Sequence, residues 1–105
     1  MFSRVVLIEI DTMRIDVDDA AQVFTAEVLP RLRSQDGYEG VAVLVTPEGK
    51  GMIVTFWRTE DAAAVAADLG TDLLEEYVAM FSAPPGRDHY AVAVADLPAV
   101  QVATG

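Results

Sequence analysis

The sequence predicts an α+β domain in which one antiparallel sheet packs against two helices. Runs rich in β-branched residues alternate with segments whose apolar residues recur at helical spacing. One proline and two glycines fall within residues 47–51, between two of the β-rich runs, which is typical of a hairpin. The chain has 105 residues, the length of a single domain. Residues 1–97 are predicted to form this domain, and residues 98–105 a C-terminal tail.

The first half of the chain is predicted to be a strand followed by a long helix. Residues 3–10 are mostly β-branched and apolar, as in a strand. Asp16 is a suitable N-cap, and apolar residues then recur at helical spacing over residues 17–34. Pro30 lies inside this helix and should kink or loosen its last turn, because proline has no N–H to donate. Gly37 is expected to end the helix.

A hairpin and a second helical region follow. Residues 38–46 and 52–57 are the two predicted strands of the hairpin. Thr59 is the candidate N-cap of the next helix, since two acidic residues follow it in the first turn. A Gly-Thr pair interrupts the helical pattern, so two pieces are expected, at residues 60–69 and 72–82.

The last predicted element is a strand at residues 89–95. A Pro-Pro-Gly sequence at residues 84–86 stops the preceding helix, because proline cannot continue its hydrogen bonds. The element order is therefore β-α-β-β-α-β. Right-handed crossover connections place both helices on the same side of the sheet. The predicted fold is ferredoxin-like, with a four-stranded antiparallel sheet and two helices on one face.

The predicted strands carry apolar side chains on both faces. A sheet covered on one side normally alternates apolar and polar residues. The first strand instead has Val5 and Leu7 on one face, and Val6, Ile8 and Ile10 on the other. Two helices can cover only one face, and a large exposed apolar surface is rare in a monomer. We therefore expect a homodimer whose two sheets pack face to face; the alternative is that a loop or the tail covers the sheet.

The charge and composition exclude several kinds of partner. Seven basic and seventeen acidic residues give a formal net charge of −10, which argues against binding to nucleic acid or to anionic membranes. With no cysteine and a single histidine, the chain is not expected to hold a transition metal. The apolar stretch near the N-terminus is shorter than a signal peptide or a membrane span requires. A cytoplasmic location is the resulting expectation.

Two segments flanking the hairpin carry a characteristic pattern. Residues 36–41 read Asp-Gly-Tyr-Glu-Gly-Val, and residues 54–62 read Val-Thr-Phe-Trp-Arg-Thr-Glu-Asp-Ala. The pattern resembles the antibiotic biosynthesis monooxygenase-like domains of the dimeric α/β-barrel superfamily. Those domains usually have a Pro-Gly-aromatic turn after the first helix and a strand that ends in tryptophan before an acidic helix start. Asp36 stands here where the family usually has proline. The resemblance in element order covers residues 3–95, and it implies a dimeric barrel.

Candidate site residues lie on the third and last predicted strands. Trp57 could stack on an aromatic substrate; alternatively, it anchors the end of its strand against the second helix. Phe56, beside it, is also predicted to line a substrate pocket. His89 is the only imidazole in the chain and could act as a general acid or base near neutral pH. The alternative for His89 is a surface side chain in a polar turn.

The second helix supplies the remaining candidates. Tyr77, Met80 and Phe81 are spaced i, i+3 and i+4, and Leu73 precedes them on the same predicted stripe. Such a stripe is usually core, but in this fold it could roof a cavity between the sheet and the helices. Tyr77 is therefore the second candidate catalytic residue, and the other three are candidate pocket residues.

These expectations lead to two functional hypotheses. The first is a cofactor-independent monooxygenase-like enzyme acting on a hydrophobic aromatic or polyketide-like small molecule. The protein would supply an apolar pocket and one proton acceptor, while the substrate carbanion reacts with O₂. The alternative is a non-catalytic small-molecule-binding or dimerisation domain. Haem degradation is not expected, because resembling members that degrade haem often use an asparagine on the first strand, and this chain contains none.

Overall fold

The computed structural model describes residues 1–65, 78–82 and 89–96. In this part of the chain the strands are β1 (Phe2–Ile10), β2 (Tyr38–Val45), β3 (Lys50–Trp57), β4 (Val78–Ser82) and β5 (His89–Ala91). The helices are α1 (Val17–Val23), α2 (Leu29–Arg33) and α3 (Glu60–Val65), with a π-helical turn at Phe24–Val28 between the first two. No described helix is long and apolar enough to pass through a membrane.

The strands form one antiparallel sheet with β1 at its centre. β3 pairs with β1 on one side, and β2 lies beyond β3. On the other side, β4 pairs with residues 6–10 of β1 and β5 pairs with residues 2–4. The α+β, ferredoxin-like prediction is confirmed. The position expected for one strand is shared by two short strands, which lie end to end along the same edge of β1.

The β4 segment corrects the prediction of a helix over residues 72–82. Its five residues form a strand in which Val78 lies opposite Ile10, and Ser82 opposite Val6. A short apolar run fits a strand or a buried helix equally well from its sequence alone. Pairing with β1 favours the strand at this position, because it gives hydrogen-bond partners to the backbone of the central strand. Residues 66–77 of the predicted helical region lie outside the described part.

The last strand is shorter than predicted and ends at Ala91 instead of residue 95. Ala91 lies opposite Phe2, the first residue of β1. The N–H of Val92 still donates to the carbonyl of Met1 at 2.9 Å, but β1 offers no further residue to pair with. The end of the central strand therefore sets the end of β5.

The first helix begins as predicted and is interrupted earlier than predicted. The carboxylate of Asp16 accepts a hydrogen bond from the N–H of Asp19 at 2.8 Å, which confirms the N-cap. The N–H of Leu29 donates to the carbonyl of Phe24, the wider spacing of a π-helix. Pro30 follows directly, in the first turn of α2. The wider turn upstream is a way to accommodate a proline ring and its missing N–H.

The core lies between one face of the sheet and both helical regions. It consists of residues from β1, the first helical region, β3, α3 and β4: Ile8, Ile10, Ala20, Phe24, Val28, Leu32, Trp57, Ala63 and Val78. Because residues from both helical regions join the same cluster, both helices cover the same face, as predicted. The N-cap of α3 is also confirmed, since the hydroxyl of Thr59 accepts from the N–H of Ala62 at 3.1 Å.

Candidate functional site

Strand register divides the sheet into two faces with different surroundings. Alternate residues of a strand point to opposite faces, and Ile8 and Ile10 of β1 belong to the core under the helices. The intervening positions, together with their register partners in β2 and β3, form the opposite face, which we call the open face. Its uncharged side chains are Ser3, Val5, Leu7, Ala42, Leu44, Met52, Val54 and Phe56. None of the helices in the core cluster covers it.

Trp57 closes one end of the core on the helix face. Its side chain is 0% exposed, and its indole Nε1 donates to the hydroxyl of Thr55 at 2.8 Å. The ring of Tyr38 meets it edge to face, with the ring centroids 5.7 Å apart. These are the contacts expected of an anchor at the end of β3. A role of Trp57 in lining a pocket stays a prediction.

Thr55 is the polar centre of this cluster. Its side chain is 7% exposed, and its hydroxyl accepts from the indole while donating to the carbonyl of Arg4 at 3.5 Å. Both hydrogen-bonding functions of the hydroxyl are thus used. This arrangement lets the indole N–H be buried without the cost of an unpaired donor.

Tyr38 adds a protonated phenol to the helix face. Partial burial raises the pKa of Tyr38 above its ordinary value of 10.0, and the nearby Arg33 guanidinium opposes this shift. The phenol therefore stays neutral around pH 7 and is a hydrogen-bond donor, not a base. Gly37, with a φ of +84°, forms the turn between α2 and β2. This turn places Tyr38 at the first position of β2.

Phe56 lies on the open face, on the side of the sheet opposite its neighbour Trp57. Its register partners are Ser3 in β1 and Gly40 in β2. The pairing is irregular between Tyr38 and Gly40, and bulges of this kind redirect side chains at the edge of a sheet. The two pocket residues predicted on β3 therefore serve different faces.

His89 begins β5 and lies opposite Arg4. Arg4 in turn pairs with Thr55 on its other side. The backbone of His89 is therefore two strands away from Thr55, a separation of roughly 10 Å at the usual strand spacing. His89 and the Trp57–Thr55 cluster share one end of the sheet. The catalytic role of His89 stays a prediction.

The predicted stripe on the second helix is not a single helical stripe. Met80 lies opposite Ile8 and Phe81 opposite Leu7, within β4. Residues spaced i, i+3 and i+4 share one face of a helix but not of a strand, because successive residues of a strand lie on opposite faces. Tyr77 and Leu73 lie outside the described residues, so their proposed roles are untested.

Three residues of these clusters were not singled out from the sequence. Thr55 and Tyr38 contact Trp57 on the helix face, and Ser3 lies buried on the open face. The two-residue spacing of Thr55 and Trp57 is a signal that a strand puts both on one face. Nothing local in the sequence marks Ser3, because its burial depends on neighbouring strands. No group of metal-ligating side chains forms among the residues described.

Comparison with known proteins gives matches only among solved structures. Neither a protein family nor a curated protein matches the chain. The structure of the heme degrader MhuD from Mycobacterium tuberculosis, with two hemes bound in its active site, matches with a TM-score of 0.59 and 13% identity. The match covers 91% of this chain and 99% of that one.

Two further structures come from monooxygenases. The monooxygenase ActVA-Orf6 of Streptomyces coelicolor, in complex with Nanaomycin D, has a TM-score of 0.55 and 17% identity and covers 93% of this chain and 92% of its own. A protein from Deinococcus radiodurans assigned to the antibiotic biosynthesis monooxygenases has a TM-score of 0.52 and 15% identity. It covers 91% of this chain and 100% of its own. The chain has the antibiotic biosynthesis monooxygenase-like fold.

This fold was the one implied by the segments around the hairpin. At 13–17% identity the similarity establishes the architecture alone, since one fold hosts many activities. The function of this chain therefore has to be argued from the side chains that it places around the sheet.

Proposed function

We propose that the protein is a cofactor-independent monooxygenase-like enzyme that acts on a hydrophobic aromatic or polyketide-like small molecule. The observation that carries the proposal is the fold similarity to ActVA-Orf6, a monooxygenase in complex with Nanaomycin D, over nearly the whole of both chains. The apolar composition of the chain, 52% hydrophobic residues, suits a substrate of this kind.

The proposed reaction needs no external reductant. A base removes a proton from an activated CH₂ group of the substrate, and the carbanion gives electrons to O₂. The resulting peroxide loses water, so that the overall change is CH₂ + O₂ → C=O + H₂O. The four electrons lost by the carbon reduce both oxygen atoms. The protein has to supply a proton acceptor and an apolar environment that excludes other acids.

His89 is the proposed proton acceptor, because an imidazole is half-neutral near pH 6.5 and no other histidine is present. Tyr77 is the proposed second catalytic group. Proposed pocket residues are Trp57, Phe56, Met80, Phe81 and Leu73. The neutral phenol of Tyr38, beside Trp57, is a further donor for a substrate carbonyl on the helix face.

The test begins with a ligand screen. Aromatic and polyketide-like compounds are compared by the shift they cause in the melting temperature, and oxygen uptake is measured with each one that binds. We expect one O₂ consumed per substrate and a loss of about 10²-fold or more in kcat for His89→Ala, the usual contribution of a general base. Tyr77→Phe should also lower kcat.

Tyr90→Phe is the matched control for the tyrosine substitution. It removes a phenol from the β5 position opposite Ser3, on the same side of the sheet as the open face, and should leave kcat within about twofold. Unchanged turnover in both His89→Ala and Tyr77→Phe would refute the assigned roles. Binding without any oxygen uptake would favour the alternative, a non-catalytic small-molecule-binding domain.

We further propose that the protein is a homodimer in which a second copy covers the open face. Leu44 is 55% exposed there, and the neighbouring positions of β1 and β3 are apolar. Among the paired positions of β1, β2 and β3 on this face there is one acidic and one basic residue, Glu9 and Lys50, which lie opposite each other in register. A net charge of zero at these positions, in a chain of charge −10, favours contact between two copies there, because like charges do not face each other across the interface.

A further inference from the structure

Arg4 places a positive charge on the helix face of the central strand. The pairing of β1 with β3 continues without a bulge from Phe2 to Glu9, so alternate residues of β1 share a face. The other even-numbered residues of β1 belong to the core cluster or pack against it: Phe2, Val6, Ile8 and Ile10. Arg4 lies within this series and is half-buried. Its side chain therefore leaves the strand on the side of the helices.

A charge at this position is an exception within the sheet. Among the paired helix-face positions of β1, β2 and β3 in the described part of the chain, Arg4 is the one charged residue. Removing a guanidinium partly from water costs free energy, which an aliphatic side chain would not. Another aliphatic residue would therefore serve the fold at least as well. Breaks of this kind in an otherwise consistent pattern are typical of functional sites.

The neighbours of Arg4 across the sheet belong to the candidate site. Thr55 lies opposite it on β3, and the hydroxyl of Thr55 donates to the carbonyl of Arg4 at 3.5 Å. His89, the proposed proton acceptor, lies opposite Arg4 on β5, so the Cα atoms of these two residues are about 5 Å apart. Three neighbouring strands thus bring a threonine, an arginine and a histidine into one row.

Helix α3 covers this end of the sheet with small side chains. It packs against β1, β3 and β5, and β5 pairs with residues 2–4 of β1, so α3 lies over the end of β1 that contains Arg4. The residues of α3 in or against the core cluster are Ala62 and Ala63. Methyl groups take little of the space beside the guanidinium. Its five N–H donors can hold a ligand oxygen and a protein acceptor at the same time.

We propose that Arg4 binds the oxygen atom on which negative charge develops when the substrate loses its proton. This inference rests on the enzyme activity proposed above. The proton goes to the base, and the electron pair of the broken C–H bond is shared between the carbon and an oxygen conjugated with it. A cation at that oxygen stabilises the transition state more than the neutral ground state. The substrate class is thereby narrowed to phenols and enolisable ketones, whose deprotonated forms are planar oxyanions.

The test compares two ligands of the same shape, the anion naphthoate and the neutral naphthamide. The carboxylate is a stable planar mimic of the oxyanion, and titration calorimetry gives both dissociation constants. Arg4→Met keeps an apolar stem without the charge. We expect it to weaken naphthoate binding about tenfold or more, the usual effect of losing a charged hydrogen bond, and naphthamide binding less than about threefold. Arg4→Lys should retain part of the preference for the anion.

Arg58→Met is the matched control. Arg58 follows β3 at the same end of the sheet; its side chain is 68% exposed and pairs with Glu39 at 3.3 Å. The variant makes the same charge change in solvent and should leave both constants within about twofold. Equal weakening of naphthoate binding in the two methionine variants, or equal weakening of both ligands in Arg4→Met, overturns the proposal. If Arg4→Met were not folded, Arg4→Gln would replace it with the same expectation.

The outcomes separate this inference from the proposed enzyme activity. A wild-type protein that binds naphthoate no more tightly than naphthamide overturns the role of Arg4, whatever the protein oxidises. Anion binding that depends on Arg4, without oxygen uptake with any compound, leaves the site standing and overturns the monooxygenase activity. With an oxygen-consuming substrate, Arg4→Met should lower kcat more than it raises KM, because the charge develops in the transition state. Oxygen uptake with unchanged kcat in this variant leaves the enzyme standing and overturns the inference.

Discussion

The hydroxyl of Thr55 offsets the free-energy cost of burying the indole N–H of Trp57, because it accepts a hydrogen bond from it. Thr55 lies two residues before Trp57 in β3, so both side chains point to the helix face. The hydroxyl accepts from the indole N–H at 2.8 Å. Because the indole is 0% exposed, water cannot replace this bond when the hydroxyl is removed.

Thr55→Val should therefore destabilise the protein although valine has nearly the same shape. The buried indole N–H loses its acceptor, and an unpaired buried donor costs about 1–3 kcal/mol. The measurement is the free energy of unfolding from urea titration, followed by tryptophan fluorescence, since the chain has one tryptophan. Thr55→Ser keeps the hydroxyl and should lose less than the valine variant. Equal losses in the two variants would mean that packing, and not the hydrogen bond, matters at this position.

At the scale of elements, the hairpin loop is joined tightly to the end of the central strand. The carbonyl of Gly49 accepts a hydrogen bond from the N–H of Ile10 at 2.8 Å. Gly49 also has a φ of +89°. A Cβ atom built on it would lie 2.7 Å from the carbonyl oxygen of Ile10 and 3.0 Å from Cγ2 of Thr12. The backbone of β1 thus occupies the space that a side chain would need.

Gly49→Ala is accordingly expected to destabilise the fold. The left-handed conformation alone costs a residue with a Cβ about 1–2 kcal/mol, and the contact with the carbonyl of Ile10 adds to this. Gly40→Ala is the control in β2, where a Cβ would meet only Cδ2 of Phe56 at 3.8 Å, and it should change the free energy of unfolding by less than about 0.5 kcal/mol. The comparison uses urea unfolding of both variants. A smaller loss at Gly49 than at Gly40 would show that the loop moves away from β1 without cost.

Elements with local signals were predictable from the sequence, and those set by pairing were not. Asp16 and Thr59 form their caps within three residues of themselves, and the hairpin is marked by its own proline and glycines. The strand at Val78–Ser82 depends on residues of β1 that are about 70 positions earlier. A helical spacing of apolar residues in that segment could not reveal this, because tertiary pairing overrides local preference.

The candidate site divides in the same way. Trp57 could be found because it ends a strand and precedes an acidic helix start. The apolar residues on both faces of the predicted strands, in place of the usual alternation with polar residues, also predicted the second apolar face. The hydroxyl pairing of Thr55 and the isolation of Ser3 could not be predicted, since they depend on which residues lie across from them in neighbouring strands.

At the scale of the whole molecule, charge and apolar surface are segregated. The chain carries a net charge of −10, yet the charged residues at the paired positions of β1, β2 and β3 on the open face are Glu9 and Lys50, which lie opposite each other and have opposite signs. Like charges elsewhere keep copies apart at low salt, and an apolar face gives association without ion pairs. A dimer of this kind should become tighter when salt is raised, because screening weakens the repulsion between the two acidic chains.

A negative charge on the open face should therefore disrupt the dimer, whereas the same charge elsewhere should not. Leu44 is 55% exposed in the protomer, so Leu44→Glu is expected to fold normally. Each dimer would lose two buried leucines and gain two carboxylates that must be removed from water, which should raise the dissociation constant at least about tenfold.

Met13→Glu makes the same charge change at a side chain that is 94% exposed outside the sheet, and should stay within about twofold of the wild type. Sedimentation at low and high salt measures both variants, and high salt should restore the leucine variant only in part, because screening removes repulsion but not the cost of dehydrating a carboxylate. Equal behaviour of the two variants would place the dimer contact somewhere other than the open face.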